Sequence, residues 1–345
     1  MKLSFISSTA IQNAMRQTIR QSQNEMNDAS QEATTGVYAD IGLALGGNTA
    51  QSVDLTREIS RIDAITGSNS IVNQRLSSSQ SALTAMSSAA QDMLNQLVAL
   101  SGNQDGSSIQ LTQSTATSSL QTFTSYANTM VNGEYLFAGI NTDVQPITDQ
   151  TSSSTDTINT ALQDYMSANG IASTQDITGP QMTDFITSVV EPMFTGSDWS
   201  NWSQASSQNM SSRINGSEVV DSSTNTNEPG MRYFALASMV TTALMGQDLN
   251  SAAQGAVSTQ AISYTRQAID GLNDQQSELG LSQSRVSKAN DALSAQKDII
   301  QNRVIDLQGV DPYEASTKVN SLETQLETAY TIVAKIQQLS LVNYL

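Results

Sequence analysis

The sequence predicts a mainly α protein: a long-helix bundle or coiled coil of paired N- and C-terminal halves, with a short β-hairpin and an inserted α+β domain. Three observations predict it. Leu272, Leu279, Val286, Leu293, Ile300 and Leu307 stand seven apart without a miss. Ile262, Ile269, Gln276, Gln283, Asn290, Lys297 and Val304 interleave with them at steps of three and four, which completes a heptad seam. Between the two helix-rich halves, residues 141–230 hold four of the five prolines and both tryptophans, a shift in composition that marks an insert. The seam is half polar, so it specifies register rather than forming a dry zipper.

Taken in order, Thr9 can cap a first helix with Gln12 closing a capping box. Met15, Ile19, Ser22, Met26, Ala29 and Ala33 step by four and three along one stripe, and Gly36 is a stop. The glycines of residues 36–50 predict an irregular connector. A second helix spans about Ser52 to Leu100, roughly 75 Å at 1.5 Å per residue. Its stripe is Leu55, Ile59, Ile62, Leu76, Leu83, Met86, Ala90, Leu94 and Leu97, with Thr66 and Asn69 in the seam. A third helix over 108–132 carries Leu111, Leu120, Phe123 and Met130. Asn132-Gly133 then turns the chain into a strand at Glu134–Ala138. In the insert, 156–169 and 180–195 predict short helices, and Ser212–Val220 predicts a hairpin. Helix resumes near Met231, softens at Gly246–Gly255, and becomes the heptad rod that Gly309 ends. Asp311-Pro312-Tyr313-Glu314 restarts it, with Asp as cap and Pro at the first helical position. The last helix has Leu322, Leu326, Ala329, Val333 and Ile336 on one stripe; Ile332, Leu339, Leu341, Val342, Tyr344 and Leu345 widen its apolar surface.

These boundaries give three segments: 1–50 with 310–345 as a terminal assembly domain, 51–140 with 231–309 as a helical rod with hairpin, and 141–230 as a variable outer domain. The ends are almost neutral, while the insert sets eleven acidic residues against Arg213 alone. One apolar seam against one partner barely offsets the entropy of ordering a helix. Both ends are therefore expected to be poorly ordered in the free monomer and to fold together on assembly. Met15, Ile19 and Met26 at one end, and Leu322, Leu326, Val333, Ile336 and Leu339 at the other, are the expected assembly contacts.

Composition narrows the chemistry. A net charge of −17 over 345 residues argues against nucleic acid and anionic membrane surfaces. With no cysteine and no histidine, thiolate chemistry, the Ser/His/Asp triad and the commonest metal ligand are removed. No apolar run is long enough to span a membrane, which also weakens a translocator reading. Residues near the start turn polar too soon for a secretory signal, so export would need a route without a cleaved leader. Gly42, Gly46 and Gly47 lack the Lys-Ser/Thr of a phosphate loop. Asp143, Asp149 and the other acids of the insert lack EF-hand spacing and read as a solvated face. Asn201, Asn209 and Asn215 match the glycosylation pattern by composition alone. Trp199 and Trp202 are expected in the insert's core rather than in a sugar or partner site. No catalytic residue, metal site or cofactor is expected.

A family resemblance rests on three segments. Asn132-Gly133-Glu134-Tyr135-Leu136-Phe137-Ala138-Gly139 resembles the turn and strand that end the N-terminal half of the bacterial flagellar hook–filament junction proteins, the hook-associated protein 3 family of the flagellin superfamily. Gln337-Gln338-Leu339-Ser340-Leu341-Val342-Asn343-Tyr344-Leu345 resembles that family's C-terminus, and Glu327–Ile332 is similar to the superfamily's terminal helix. The similarity covers about 1–140 and 230–345; Trp199–Trp202 with Arg213–Ile214 is similar to the insert of some flagellins. It implies a structural, non-enzymatic subunit exported through the flagellar type III channel, carried by a chaperone on its C-terminal region. It also implies a ring of copies, outside the cell, between a second hook-associated protein and the flagellin filament. Thr35–Leu43 lacks the basic and acidic pairs usual after the family's first helix, which puts that loop's usual contacts in doubt and counts against plain flagellin. The alternatives are a flagellin filament subunit and, from another class, a secreted adhesin or enzyme carried by the insert.

Overall fold

The computed structural model describes residues 8–102 and 105–342. Contacts group the chain into two compact units, Met1–Ala64 with Ala292–Leu345, and Ile65–Asp291. Two long helices, α3 (Thr49–Gly102) and α9 (Ser251–Gln308), contribute to both.

The larger unit is built around α8 (Pro229–Leu244). Met231, Phe234, Leu236, Met239, Val240 and Leu244 are buried on every side of it, the signature of a central helix. Around it α3 supplies Leu76, Leu83, Met86, Met93 and Leu97, and α9 supplies Leu272, Leu279 and Val286. Helix α4 (Gly106–Ala127) starts at an Asp105 cap and stacks Phe123 on Phe234 with ring centroids 4.8 Å apart. At one crossing, α8 meets α9 with no room for side chains. A Cβ on Gly230 or Gly271 would come within 2.6 Å of the other's backbone.

The insert shares this core. Helix α5 (Thr151–Ala168) follows the tight hairpin β1 (Met130–Val131) and β2 (Glu134–Tyr135). Its turn has positive φ at both Asn132 and Gly133, as a two-residue hairpin loop of this hand requires. Helices α6 (Gly179–Phe185) and α7 (Glu191–Thr195) are joined by a π-turn over Ile186–Val190. Pro192 lacks the N–H that would close an α-turn there, so the preceding turn widens. A second hairpin pairs β3 (Ser211–Arg213) with β4 (Val219–Asp221). Phe185, Phe194, Trp199, Trp202, Ile214 and Val220 are buried in the same cluster as α3, α8 and α9.

In the smaller unit, α1 (Ser8–Thr35) and α10 (Pro312–Val342) pack together. A short helix, α2 (Ile41–Leu45), is capped by Asp40, whose carboxylate accepts from the Leu43 amide at 2.9 Å.

Several expectations need correction. Residues 36–50 contain α2 and a turn of 3-10 helix rather than irregular chain. Helix α1 already includes Thr9, so Thr9 is not its cap. Helix α4 stops at Ala127, and Leu111 and Met130 face solvent. The buried stripe is instead Thr112, Ala116, Leu120, Phe123 and Ala127, because close helix packing favours small residues that a search for large apolar ones overlooks. Strand β2 ends at Tyr135, and Ala138 makes only an isolated bridge to Asn225. Gly255 lies inside α9. The break comes at residues 245–250, where the Asn250 side chain accepts from the Ala253 amide at 2.9 Å and caps α9.

Candidate assembly interface

Helices α1 and α10 come from opposite ends of the sequence and lie antiparallel. Val310 donates to the Gly36 carbonyl at 2.9 Å at one end, and Gln23 donates to the Tyr330 hydroxyl at 2.9 Å further along. Their periodic residues make one seam. On α1, Ala29 is fully buried and Met15, Ile19 and Met26 are half-buried. On α10, Ala315, Leu322 and Leu326 are buried, and Val319, Ala329, Val333 and Ile336 are half-buried. Helix α10 runs past Leu339, but the Leu339 side chain lies outside the described residues.

The seam covers only one stripe. Ile11, Tyr330 and Ile332 point outward, as do Ile299 and Ile305 on α9. Leu43 on α2 and Tyr313 at the start of α10 are 84% and 82% exposed. A cleft of about 280 Å³ opens between Met15 and the Thr324–Ile332 stretch. Apolar side chains left in water on several sides of a helix pair are what a multi-partner packing surface requires.

The two ends are tied to the longer helices by a short bridge. Helix α1 closes on Gly36, which has φ +71° and donates to the Glu32 carbonyl at 2.8 Å. Beyond it, Tyr38 donates to the Gln308 carbonyl at 3.0 Å, pairing Val37 with Gly309 antiparallel. Asp311 then caps α10 by accepting from the Tyr313 amide at 2.8 Å. The bridge has no advance signal beyond Gly36 and Gly309, because backbone pairing leaves no side-chain pattern.

The polar half of the α9 seam is satisfied within each unit. In the smaller unit, Lys297 reaches Asp63 at 2.6 Å. In the larger, Gln276 donates to Thr84 at 2.8 Å, Gln80 to Gln283 at 3.0 Å, and Asn69 to Asn290 at 2.7 Å. Asn69 is wholly buried and also donates to the Ile214 carbonyl at 2.9 Å. A further buried group is Arg75 on α3, which holds the first hairpin by donating to Glu134 at 2.8 Å and to the Tyr135 carbonyl at 2.7 Å. Burial lowers the Arg75 pKa, and the Glu134 carboxylate partly offsets it.

Among the described residues no group of acidic side chains could hold a metal ion, and no helix is long and apolar enough to cross a membrane.

Residues 6–142 match the bacterial flagellin N-terminal helical region, and residues 262–345 match the bacterial flagellin C-terminal helical region. No curated protein sequence matches the chain. The fold is shared with a putative flagellar hook-associated protein from Vibrio parahaemolyticus. That structure is 12% identical, with a TM-score of 0.54 over 76% of this chain and 97% of that one. The crystal structure of Bacillus cereus FlgL is 11% identical, with a TM-score of 0.49 over 73% of this chain and 99% of that one. Matched at both ends, in the two stretches that supply α1, most of α9 and α10, the chain belongs to the flagellin superfamily of structural proteins of the bacterial flagellum.

Proposed function

We propose that this chain is a subunit of the junction between flagellar hook and filament, assembled by coupled folding of its terminal helices. The observation that carries the reading is the α1–α10 pair: one covered seam, with Ile11, Tyr330, Ile332 and Tyr313 left outside it. In the assembled state, residues 1–50 and 310–345 form the inner coiled-coil layer, 51–140 and 231–309 the rod, and 141–230 the outer part. Copies associate into a ring through Met15, Ile19, Met26, Leu322, Leu326, Val333, Ile336 and Leu339. A second hook-associated protein lies on one side and flagellin on the other. Export proceeds without a cleaved signal, with a chaperone on the C-terminal region. The shared fold of a structure described as a putative hook-associated protein supports this reading.

A deletion strain tests it. Cells should keep their hooks and shed flagellin into the medium; normal filaments on such cells would overturn the proposal. One observation favours a filament subunit instead: both matched family regions are those of flagellin. Purified protein seeded with filament fragments separates the two, since a filament subunit grows long polymers and a junction subunit stays as monomers or small rings.

A further inference from the structure

The chain has three Asn-Gly pairs, Asn132-Gly133, Asn169-Gly170 and Asn215-Gly216. In such a pair no side chain shields the glycine nitrogen, so it can attack the amide carbon of the asparagine before it. The three pairs differ in how firmly the fold holds that amide. Asn215 is held at both ends: Oδ1 accepts from the Ser217 amide at 3.0 Å and the Glu218 amide at 2.8 Å, and Nδ2 donates to Glu218 at 3.2 Å. Asn169 is held at one end, where Nδ2 donates to the Tyr165 carbonyl at 2.9 Å. The Gly170 amide is itself engaged with the Ser167 carbonyl at 3.4 Å. Asn132 is exposed, and its side chain makes no hydrogen bond among the described residues. We infer that Asn132 is a site of spontaneous deamidation in the folded protein, faster than Asn169, with Asn215 slowest.

The reaction needs only water. The Gly133 nitrogen bonds to Asn132 Cγ, and Nδ2 leaves as ammonia, carrying the proton that the Gly133 nitrogen gives up. The five-membered imide then takes up one water. Opening at Cγ restores the normal backbone with an aspartate side chain. Opening at the main-chain carbonyl carbon of Asn132 gives isoaspartate, whose backbone is one methylene longer. Nothing is oxidised or reduced. The tight turn, with φ +53° at Asn132 and +85° at Gly133, must open for the ring to close. Strands β1 and β2 are two residues each, and a ladder that short opens at little cost.

The consequence falls on Arg75. Its partner Glu134 directly follows the turn, at 2.8 Å from the guanidinium. Arg75 is 7% exposed, and its Nε is already buried without a partner. An isoaspartate lengthens the turn and sets a new carboxylate beside Glu134. The pair loses its register, and a nearly buried cation loses a partner. Deamidation therefore loosens the hairpin that Arg75 holds. The inference is independent of where in the flagellum the chain sits.

The test ranks the three sites within one chain. Full-length protein is held at mildly alkaline pH, sampled over days, digested in heavy-oxygen water and mapped by mass spectrometry. The heavy oxygen marks any conversion that occurs during digestion. In the folded protein Asn132 should convert at least about tenfold faster than Asn215, a ratio that one or two ordinary hydrogen bonds account for, with Asn169 between them. In urea the three rates should draw level, because the dipeptide is the same and the fold is gone. Conversion at Asn132 no faster than at Asn215 in the folded chain, or a ranking that persists unchanged in urea, overturns the inference. The fraction converted at Asn132, separated by charge, should unfold at a lower temperature than the parent; equal temperatures would overturn the link to Arg75.

Discussion

Asn69 is a wholly buried amide whose N–H groups serve two partners, Asn290 Oδ1 and the Ile214 carbonyl. Asn69→Leu strands the Ile214 carbonyl in the core and leaves the half-buried Asn290 amide without its donor, so urea unfolding should show a loss of about 1–3 kcal/mol. Asn69→Leu/Asn290→Leu should cost less than the sum of the two singles, since the second change removes a group the first left unpaired. Strict additivity would show that the amides do not act together. With no histidine, no side chain of ordinary pKa titrates between the carboxylates and the alkaline range. The Tyr165 hydroxyl is pushed up to about 12, first by burial and then by the Asp184 carboxylate that accepts from it at 2.8 Å. The folded state holds this proton more tightly than the unfolded chain, where the ordinary value is 10.0. Its stabilisation is therefore complete below pH 10 and is lost as pH rises through about 12. The Asp149 carboxyl is held below its ordinary 3.8 by the Thr151 hydroxyl and amide. Its contribution is present above 3.8 and lost as pH falls through the lower folded value. Circular dichroism across pH should thus show a plateau near neutrality, and Tyr165→Phe should remove part of the alkaline fall.

Helix α9 shows how far an element can be read from its residues. Leu272, Leu279, Val286 and Leu293 are buried at 0–7% exposure, as their seven-residue spacing predicts, and the interleaved amides find partners at the same period. Periodicity determines which face of a helix is covered, so this much was legible. The soft stretch expected at Gly246–Gly255 overlaps the break at residues 245–250 but runs on into α9, because a glycine in a helix interior resembles a stop until its surroundings are known. Two glycines of α9 make the point measurable. A Cβ at Gly280 would meet only the end of the Gln80 side chain, at 3.6 Å. Gly280→Ala should therefore stabilise by about 0.5–1 kcal/mol through helix propensity. At Gly271 the same methyl would strike the Gly230 backbone at 2.6 Å, and Gly271→Ala should cost about 1–3 kcal/mol by pushing α8 away. Thermal unfolding of the two variants should shift in opposite directions; a shared direction would show that α8 and α9 do not hold this close crossing.

For the whole molecule, the apolar stripe of the terminal helices was legible, because Met15, Ile19, Met26, Leu322, Leu326, Val333 and Ile336 follow helical spacing and are buried or half-buried. The bridge between Gly36–Tyr38 and Gln308–Val310 was not, since main-chain hydrogen bonds can form between almost any residues. Leu326→Asp and Val333→Asp place a carboxylate in the stripe. Each should leave a soluble monomer and abolish incorporation into the flagellum, read by complementation of a deletion strain. Incorporation at the normal level would remove the stripe from the assembly contacts. The same long-range pairing has a consequence for synthesis. Gln23 and Tyr330 are 307 positions apart, yet each supplies part of the other's surroundings. At about 5–20 residues per second, roughly 15–60 s separate their emergence from the ribosome. Throughout that interval the nascent first helix has no native mate, so its greasy flank is a hazard in a crowded cytosol that faster translation or a bound holdase would reduce.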